Sequence, residues 1–259
     1  MSQKISSERQ GAVVRVWINR PEIHNAFDDE VIAQLGAAIE EATADADVRV
    51  IVLGGRGRSF SAGADLNWMR SAASTSDEEN LEDAGRLASM LRTLGDTPKA
   101  TVARVQGTAL GGGLGLIAAC DVAIAAKRAR FGFSEVELGL IPAVISPHVV
   151  SKIGPGHARR LFVTGERFDA EYACRIGLIA QVVEDDEALD AAVEQTVGAI
   201  LSNAPGAVGA AKELVREVTR LGVNEVDDYT ARQIAARRGC EEGREGIAAF
   251  LEKRKPGWG

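Results

Sequence analysis

A mixed α/β fold with a helical C-terminal section is predicted by three features of the sequence. Through the first two-thirds, short β-branched runs alternate with stretches whose apolar residues recur every three or four positions. Two of the predicted strands run straight into glycine-rich turns. Beyond about residue 145 the pattern becomes mostly helical. Alternation of this kind implies repeated strand–helix units packed around one sheet core.

Each element follows from its own residues. "AVVRVWIN" (Ala12–Asn19) is rich in branched and aromatic residues and is stopped by Arg20-Pro21, so it reads as a strand. From Asp28 to Thr43, Val31, Leu35, Ile39 and Ala42 keep helical spacing. Asp28, Asp29 and Glu30 stand at the end where the helix dipole favours negative charge. "VRVIVLGG" is a short apolar strand ended by glycines. Asp77–Gly95 predicts a second amphipathic helix, with Leu81, Ala84, Leu87, Ala88 and Leu91 on one face. "ATVARV" (Ala100–Val105) and "DVAIAA" (Asp121–Ala126) are further strands. "GHARRLFVTG" and "DAEYACRIG" predict short helices, each closed by a glycine suited to the position after a helix end. Longer helices are predicted over Asp186–Leu201, Ala207–Leu221 and Asn224–Arg254. "SAASTSDEEN" (Ser71–Asn80) has the composition of a mobile surface loop.

The chain has 259 residues, 46% hydrophobic and 26% charged, ordinary for one large globular domain or a domain with a small appendage. A formal net charge of −7 argues against nonspecific binding to nucleic acid or an anionic membrane. The three cysteines are scattered and the histidines number only three, which speaks against a disulfide framework and against a zinc site. "MSQKISSERQG" has no apolar core of a secretory signal, and nothing approaches a membrane span. The expectation is a cytoplasmic protein with no metal.

Two turns carry the chemistry. "VQGTALGGGLGLIAACD" (Val105–Asp121) follows a strand and opens into an apolar helix, as does "GGRGRSFSAGADLNWMR" (Gly54–Arg70). Such turns present backbone N–H groups to a ligand. Two of them together would offer one N–H apiece to a single developing negative oxygen, an oxyanion hole in which each donor is worth ~3–4 kcal/mol of barrier. The plainer reading is that both are only strand-to-helix connections. Gly113–Ala118 also fits G-x-G-x-x-A, but "QGTALGG" intervenes between strand and motif, which weighs against a dinucleotide site.

"SFSAGADL", "VQGTALGGGLGLIAACDVAIAA", "FGFSEVELGLIP" and the closing "FLEKRKPGW" together resemble the crotonase, or enoyl-CoA hydratase/isomerase, superfamily. The similarity runs from "INRPEIHNAF" to the C-terminus. It implies a spiral of ββα units over residues 1–200 and a C-terminal helical, oligomerising region over 201–259. It also implies a homotrimer or dimer of trimers, and an acyl-CoA substrate with no further cofactor. By position, the oxyanion hole would use the N–H groups of Ala64 and Gly112. Glu135 would be the acid/base. Ile23, Ala62, Asp65, Leu66 and Lys253 would lie along the substrate, with Ile23 and Ala62 at the CoA adenine and Lys253 or Lys255 at its phosphates.

One position departs from that pattern. Hydratases of the family generally carry a second glutamate two residues after "GGG", where this chain has Gly115. Adding water to a double bond calls for a base toward water and an acid toward carbon, which two carboxylates share readily. A single carboxylate suffices to move one proton between carbons, so an enoyl-CoA isomerase acting through Glu135 is the alternative. "GGGLGLIAACD" and "SEVELGLIPAVISPHVV" nonetheless resemble bacterial branched-chain hydratases of the methylglutaconyl-CoA type, so a hydratase of short or branched 2-enoyl-CoA is the leading expectation. A catalytically silent CoA-thioester or nucleic-acid binder is the reading from another class. A glutaconyl substrate would also need a cation, for which Arg70, Arg86 and His148 are candidates. Asp65 and Asp121 read as structural acids, Glu137 as a solvated charge, and Trp68 as a wall of the acyl tunnel.

Overall fold

The computed structural model describes residues 3–72 and 75–258. Among the described residues nine strands follow in chain order: β1 (Ile5–Gln10), β2 (Val13–Ile18), β3 (Val50–Gly55), β4 (Ala100–Val105), β5 (Ala109–Leu110), β6 (Val122–Ala126), β7 (Arg130–Gly132), β8 (Arg167–Asp169) and β9 (Gln181–Val183). Six of them form a sheet in the order β1-β2-β3-β4-β6-β9, and the others a small sheet in the order β5-β7-β8. In the large sheet only the β1–β2 pair is antiparallel. β1 has no counterpart among the expected strands: its sequence, ISSERQ, buries only Ile5. Its ladder to β2 is a matter of backbone pairing at a sheet edge, and leaves no apolar alternation to read.

The helices are α1 (Asp29–Ala44), α2 (Leu66–Ala72), α3 (Asp77–Asp96), α4 (Gly112–Ala119), α5 (Ser146–Thr164), α6 (Ala170–Arg175), α7 (Asp186–Leu201), α8 (Pro205–Arg220), α9 (Val223–Gly239) and α10 (Glu241–Leu251). β4-β5-α4 and β6-β7-α5 are successive turns of a spiral, with one strand in each sheet and then a helix. α1, α3 and α4 pack Leu35, Ile39, Leu91, Leu94 and Leu116 into the main core. α7 covers the other face of the large sheet with Leu189, Val193 and Val197 over Val50, Val102 and Ile124.

Local signals explain most boundaries. Asp28 caps α1, its Oδ1 accepting from Val31 N at 2.9 Å. Ser76 and Glu79 form a reciprocal capping box on α3. The expected loop over Ser71–Asn80 is therefore shorter than its composition suggests: Ser71 and Ala72 end α2, Asp77–Asn80 begin α3, and residues 73 and 74 lie outside the described segments. The helix expected over "GHARRLFVTG" is the second half of α5, which bends at Gly154 (φ 75°, ψ 159°) before Pro155 and closes on Gly165 (φ 63°). The helix expected over Asn224–Arg254 is two. Cys240 is extended, and its Sγ accepts from Gly243 N at 3.3 Å to start α10. Among the described residues of α8–α10, Ala249 alone is buried.

Candidate active site

The two glycine turns are laced into one piece of backbone. Ser61 N donates to Thr108 O at 3.1 Å, and Leu110 N to Ser61 O at 3.0 Å. The buried Gln106 amide donates to the carbonyls of Gly55, Gly57 and Ser59 at 2.6–3.0 Å, which fixes the first turn from beneath. Phe27 N donates to Gly63 O, and Asp65 N to Phe27 O, both at 2.7 Å. Those bonds use the amides on either side of the bridge and leave the Ala64 N–H on the opposite edge. Gly112 is the first residue of α4, where an amide has no partner within its helix. Among the described residues neither amide meets an acceptor. Gly63 holds the turns together at φ 85°: a Cβ there would lie 2.9 Å from Leu110 O and 3.6 Å from Gly112 N, so no side chain fits.

Glu135 faces these amides. It stands in a 3-10 turn, Ser134–Leu138, directly after β7, and the turn is closed by Gly139 in the left-handed region (φ 73°). A Cβ on Gly111 would lie 2.9 Å from Glu135 Oε1, which puts the carboxylate against the turn leading into α4. Glu135 Oε2 is buried and has no hydrogen-bond partner among the described residues. Burial pushes the Glu135 carboxyl above its usual range, opposed by the residue's own backbone N–H, which donates to the carboxylate.

A cleft of about 740 Å³ joins these parts. Its walls include Ala62, Ala64, Leu66, Trp68, Gly112 and Glu135, and Glu135 is the only ionisable side chain among the lining residues. Asn80, Ser134 and Leu138 also line it and were not anticipated, because their places depend on how α3 and the 3-10 turn converge. Three of the residues expected along the substrate do not line this cleft. Asp65 turns inward: its Oδ1 accepts from Asn67 N at 2.8 Å to cap α2, and its Oδ2 pairs with Arg20 at 3.1 Å. Ile23 is at the surface in the turn Pro21–Ile23, beside His24, whose carbonyl accepts from Ala62 N at 2.9 Å. Lys253 follows α10 with a left-handed backbone (φ 53°) and lies outside this cleft.

The remaining candidates are accounted for by other contacts. His148 packs against Gly95, and burial holds its pKa below the usual histidine range. Arg86 pairs with Asp83, and Arg70 donates to Asn67 Oδ1 at 3.2 Å. None of the three lines the cleft. Asp121 is structural, bridging Thr101 and Lys212 at 2.8–3.0 Å. Gly115 does not open onto the cleft: a Cβ there would lie 2.9 Å from Ile145 Cβ and would overlap its Cγ2. Gly113 is pressed on Ser61, a Cβ there lying 2.7 Å from its carbonyl oxygen, so both glycines are required by packing against neighbouring elements. Among the described residues no group of His, Cys, Asp and Glu is arranged to hold a metal, and no helix is long and apolar enough to cross a membrane.

A spiral of ββα units, with two amides that meet no acceptor among the described residues and one desolvated carboxylate around a single cleft, is the architecture of the crotonase class. The chain belongs to the enoyl-CoA hydratase/isomerase family, whose model matches residues 8–259. It is 33% identical to the short-chain-enoyl-CoA hydratase of Clostridium acetobutylicum, covering 96% of this chain and 94% of that one. It is 32% identical to the 2,3-dehydroadipyl-CoA hydratase of Escherichia coli, covering 99% and 98%. Among solved structures, an enoyl-CoA hydratase from Shewanella pealeana superposes with a TM-score of 0.95 at 42% identity, over 99% of this chain and 96% of the other.

Proposed function

We propose that the protein is a hydratase of short or branched 2-enoyl-CoA thioesters, with the Ala64 and Gly112 amides on the thioester oxygen and Glu135 moving the protons. The observation that carries this reading is the Glu135 carboxylate, desolvated and unpartnered at Oε2, facing two amides that meet no acceptor. In the forward direction Glu135 takes a proton from water as its oxygen attacks Cβ. The electron pair moves to the thioester oxygen, where the two amides and the α4 dipole stabilise the enolate. Glu135 then returns a proton to Cα. The atoms of one water are added and no further cofactor is required. Backbone around Ile23 and Ala62 would meet the CoA adenine, and Leu66 and Trp68 the acyl chain. Asp65 would act indirectly, by holding the start of α2. Lys253 would reach CoA phosphates of an adjacent subunit in a homotrimer or dimer of trimers, an assembly consistent with exposed Val215, Ile234, Ile247 and Phe250 on α8–α10.

A second reading is favoured by Ile145, which fills the place beside Gly115 where a second carboxylate would need to stand. With Glu135 as the sole ionisable group of the cleft, isomerisation of a 3-enoyl-CoA needs only removal of a C2 proton and its return at C4. Absorbance of the conjugated thioester separates the two. Loss of the band from crotonyl-CoA or 3-methylglutaconyl-CoA by water addition supports the hydratase. Appearance of the band from a 3-enoyl-CoA, without hydration, supports the isomerase. Binding of an acyl-CoA with no turnover of any of the three would reduce the protein to a silent thioester binder.

A further inference from the structure

A second concavity, of about 480 Å³, lies outside the cleft just described. It is lined by Arg130, Arg160, Arg167 and Arg175 with Tyr172 and Phe168, and by the carboxylates of Glu166 and Asp169. The arginines come from β7, α5, β8 and α6, so the tertiary fold assembles the cluster. Nothing in the local sequence marks it.

The charges in this concavity do not cancel. Arg160 pairs with Glu166 at 2.8 Å. Asp169 Oδ1 is taken by the Tyr172 amide at 2.8 Å as the cap of α6. Arg130 donates through Nη1 to the backbone carbonyls of Lys127 and Ala129. Among the described residues Arg130, Arg167 and Arg175 have no carboxylate partner, although 23 ion pairs are formed elsewhere or at Arg160. Four guanidinium groups against two carboxylates leave a local excess of two positive charges in a chain of net charge −7. Arg160 and Arg175 both lie over the Tyr172 ring, at 5.6 and 5.3 Å from its centroid, and the ring packs edge-on to Phe168 at 5.7 Å. Stacking on a fixed ring restricts long side chains that would otherwise spread apart in solvent, so less freedom remains to be lost when they take up a ligand.

We propose that this concavity is a binding site for a diphosphate group. Guanidinium forks match pairs of phosphate oxygens, and several forks on one concave wall suit two linked phosphates better than a single carboxylate. The volume exceeds that of an inorganic diphosphate and leaves space for an attached nucleoside. This site does not depend on the reaction assigned to Glu135. The diphosphate would come either from a free nucleotide or from the CoA moiety of a thioester, and the two sources are separable by experiment.

The test is calorimetric titration of the purified full-length protein with inorganic pyrophosphate, ADP and free CoA at about 50 mM salt, a concentration that screens surface charge weakly. Saturable binding of pyrophosphate, one per chain, is expected, weakened at least tenfold in Arg167→Gln and in Arg175→Gln. Arg167→Lys, which keeps the charge and loses the fork, should fall between them and the parent. Both arginines are exposed, so circular dichroism of the variants should match the parent. If CoA binding weakens in parallel, the diphosphate is that of CoA. If CoA binding is unchanged while ADP binding weakens, the site serves a separate nucleotide. Absence of saturable pyrophosphate binding, or equal affinity in parent and both glutamine variants, overturns the proposal.

Discussion

Ile145 occupies the space that any side chain on Gly115 would need. The two residues are complementary: one is the N-cap of α5 with a branched, 3% exposed side chain, and the other lies inside α4 with none. The pair explains why the helix behind the second glycine turn is bare. α4 is packed from behind by α5, and a carboxylate side chain at Gly115 has no room there.

Gly115→Glu should therefore destabilise the protein and add no activity. Overpacking a core typically costs ~1–3 kcal/mol, and an unpaired buried carboxylate adds to that. Chemical denaturation is expected to show a loss of about 3 kcal/mol or more, with recovery in Gly115→Glu/Ile145→Gly. A stable, faster single variant would show that α5 yields more readily than its packing implies.

Glu135→Gln should abolish turnover at little cost to the fold. The parent carboxylate is desolvated and its Oε2 has no hydrogen-bond partner among the described residues, so removing its charge relieves a burden in the native state. A fall in kcat of about a thousandfold or more, with an unfolding midpoint at pH 7 equal to or above the parent's, is the expected pair of results.

The direction of the Glu135 shift sets two pH dependences. A carboxyl raised in the folded state binds its proton more tightly there than in the unfolded chain. Its contribution to stability is present below the unfolded value of 4.5 and is lost as pH rises through the folded pKa. If Glu135 acts as a base, the acid limb of kcat/KM should fall at a pH above 4.5. A limb at or below that value, measured with crotonyl-CoA, would mean that another group is titrating.

Gly111→Ala should damage activity more than stability. Gly111 adopts φ 46° and ψ −116°, a conformation that costs a residue with a Cβ ~1–3 kcal/mol. The new methyl would also meet Glu135 Oε1 at 2.9 Å and displace the carboxylate from the amides. A drop in kcat of about a hundredfold, with a denaturation midpoint only modestly lowered, is expected from the parallel assays.

Asp65→Ala should act through the cleft wall. Loss of the α2 cap and of the partner to Arg20 is expected to cost ~1–3 kcal/mol. Leu66 and Trp68 would lose their anchorage, so KM for an acyl-CoA should rise more than kcat falls. A change confined to kcat would instead place Asp65 nearer the reacting atoms.

Much of this protein is legible in the chain itself. Strands such as VIVLGG and ATVARV, the α1 stripe of Val31, Leu35 and Ile39, and the glycines that close helices act over a few residues. The chemistry of those residues settles their local structure. The glycines of "SAGADL" and "GGG" likewise marked parts of the cleft, because a close approach of backbone to a ligand leaves small residues in sequence, whereas Glu135 in "FGFSE" was marked by the family resemblance alone. The antiparallel β1 was not legible, since edge pairing is made by amides and carbonyls common to every residue. Nor was the break at Cys240, where Gly243 abuts the Arg237 backbone too closely for a side chain. Only the tertiary structure decided that Asp65 turns inward to Arg20, that His148 and Arg86 stand away from the cleft, and that four distant arginines share one wall. It alone decided that Gly115 meets a branched side chain thirty residues further on. Contacts of that kind depend on where α4 and α5 come to rest against each other, which is set by the packing of the whole core.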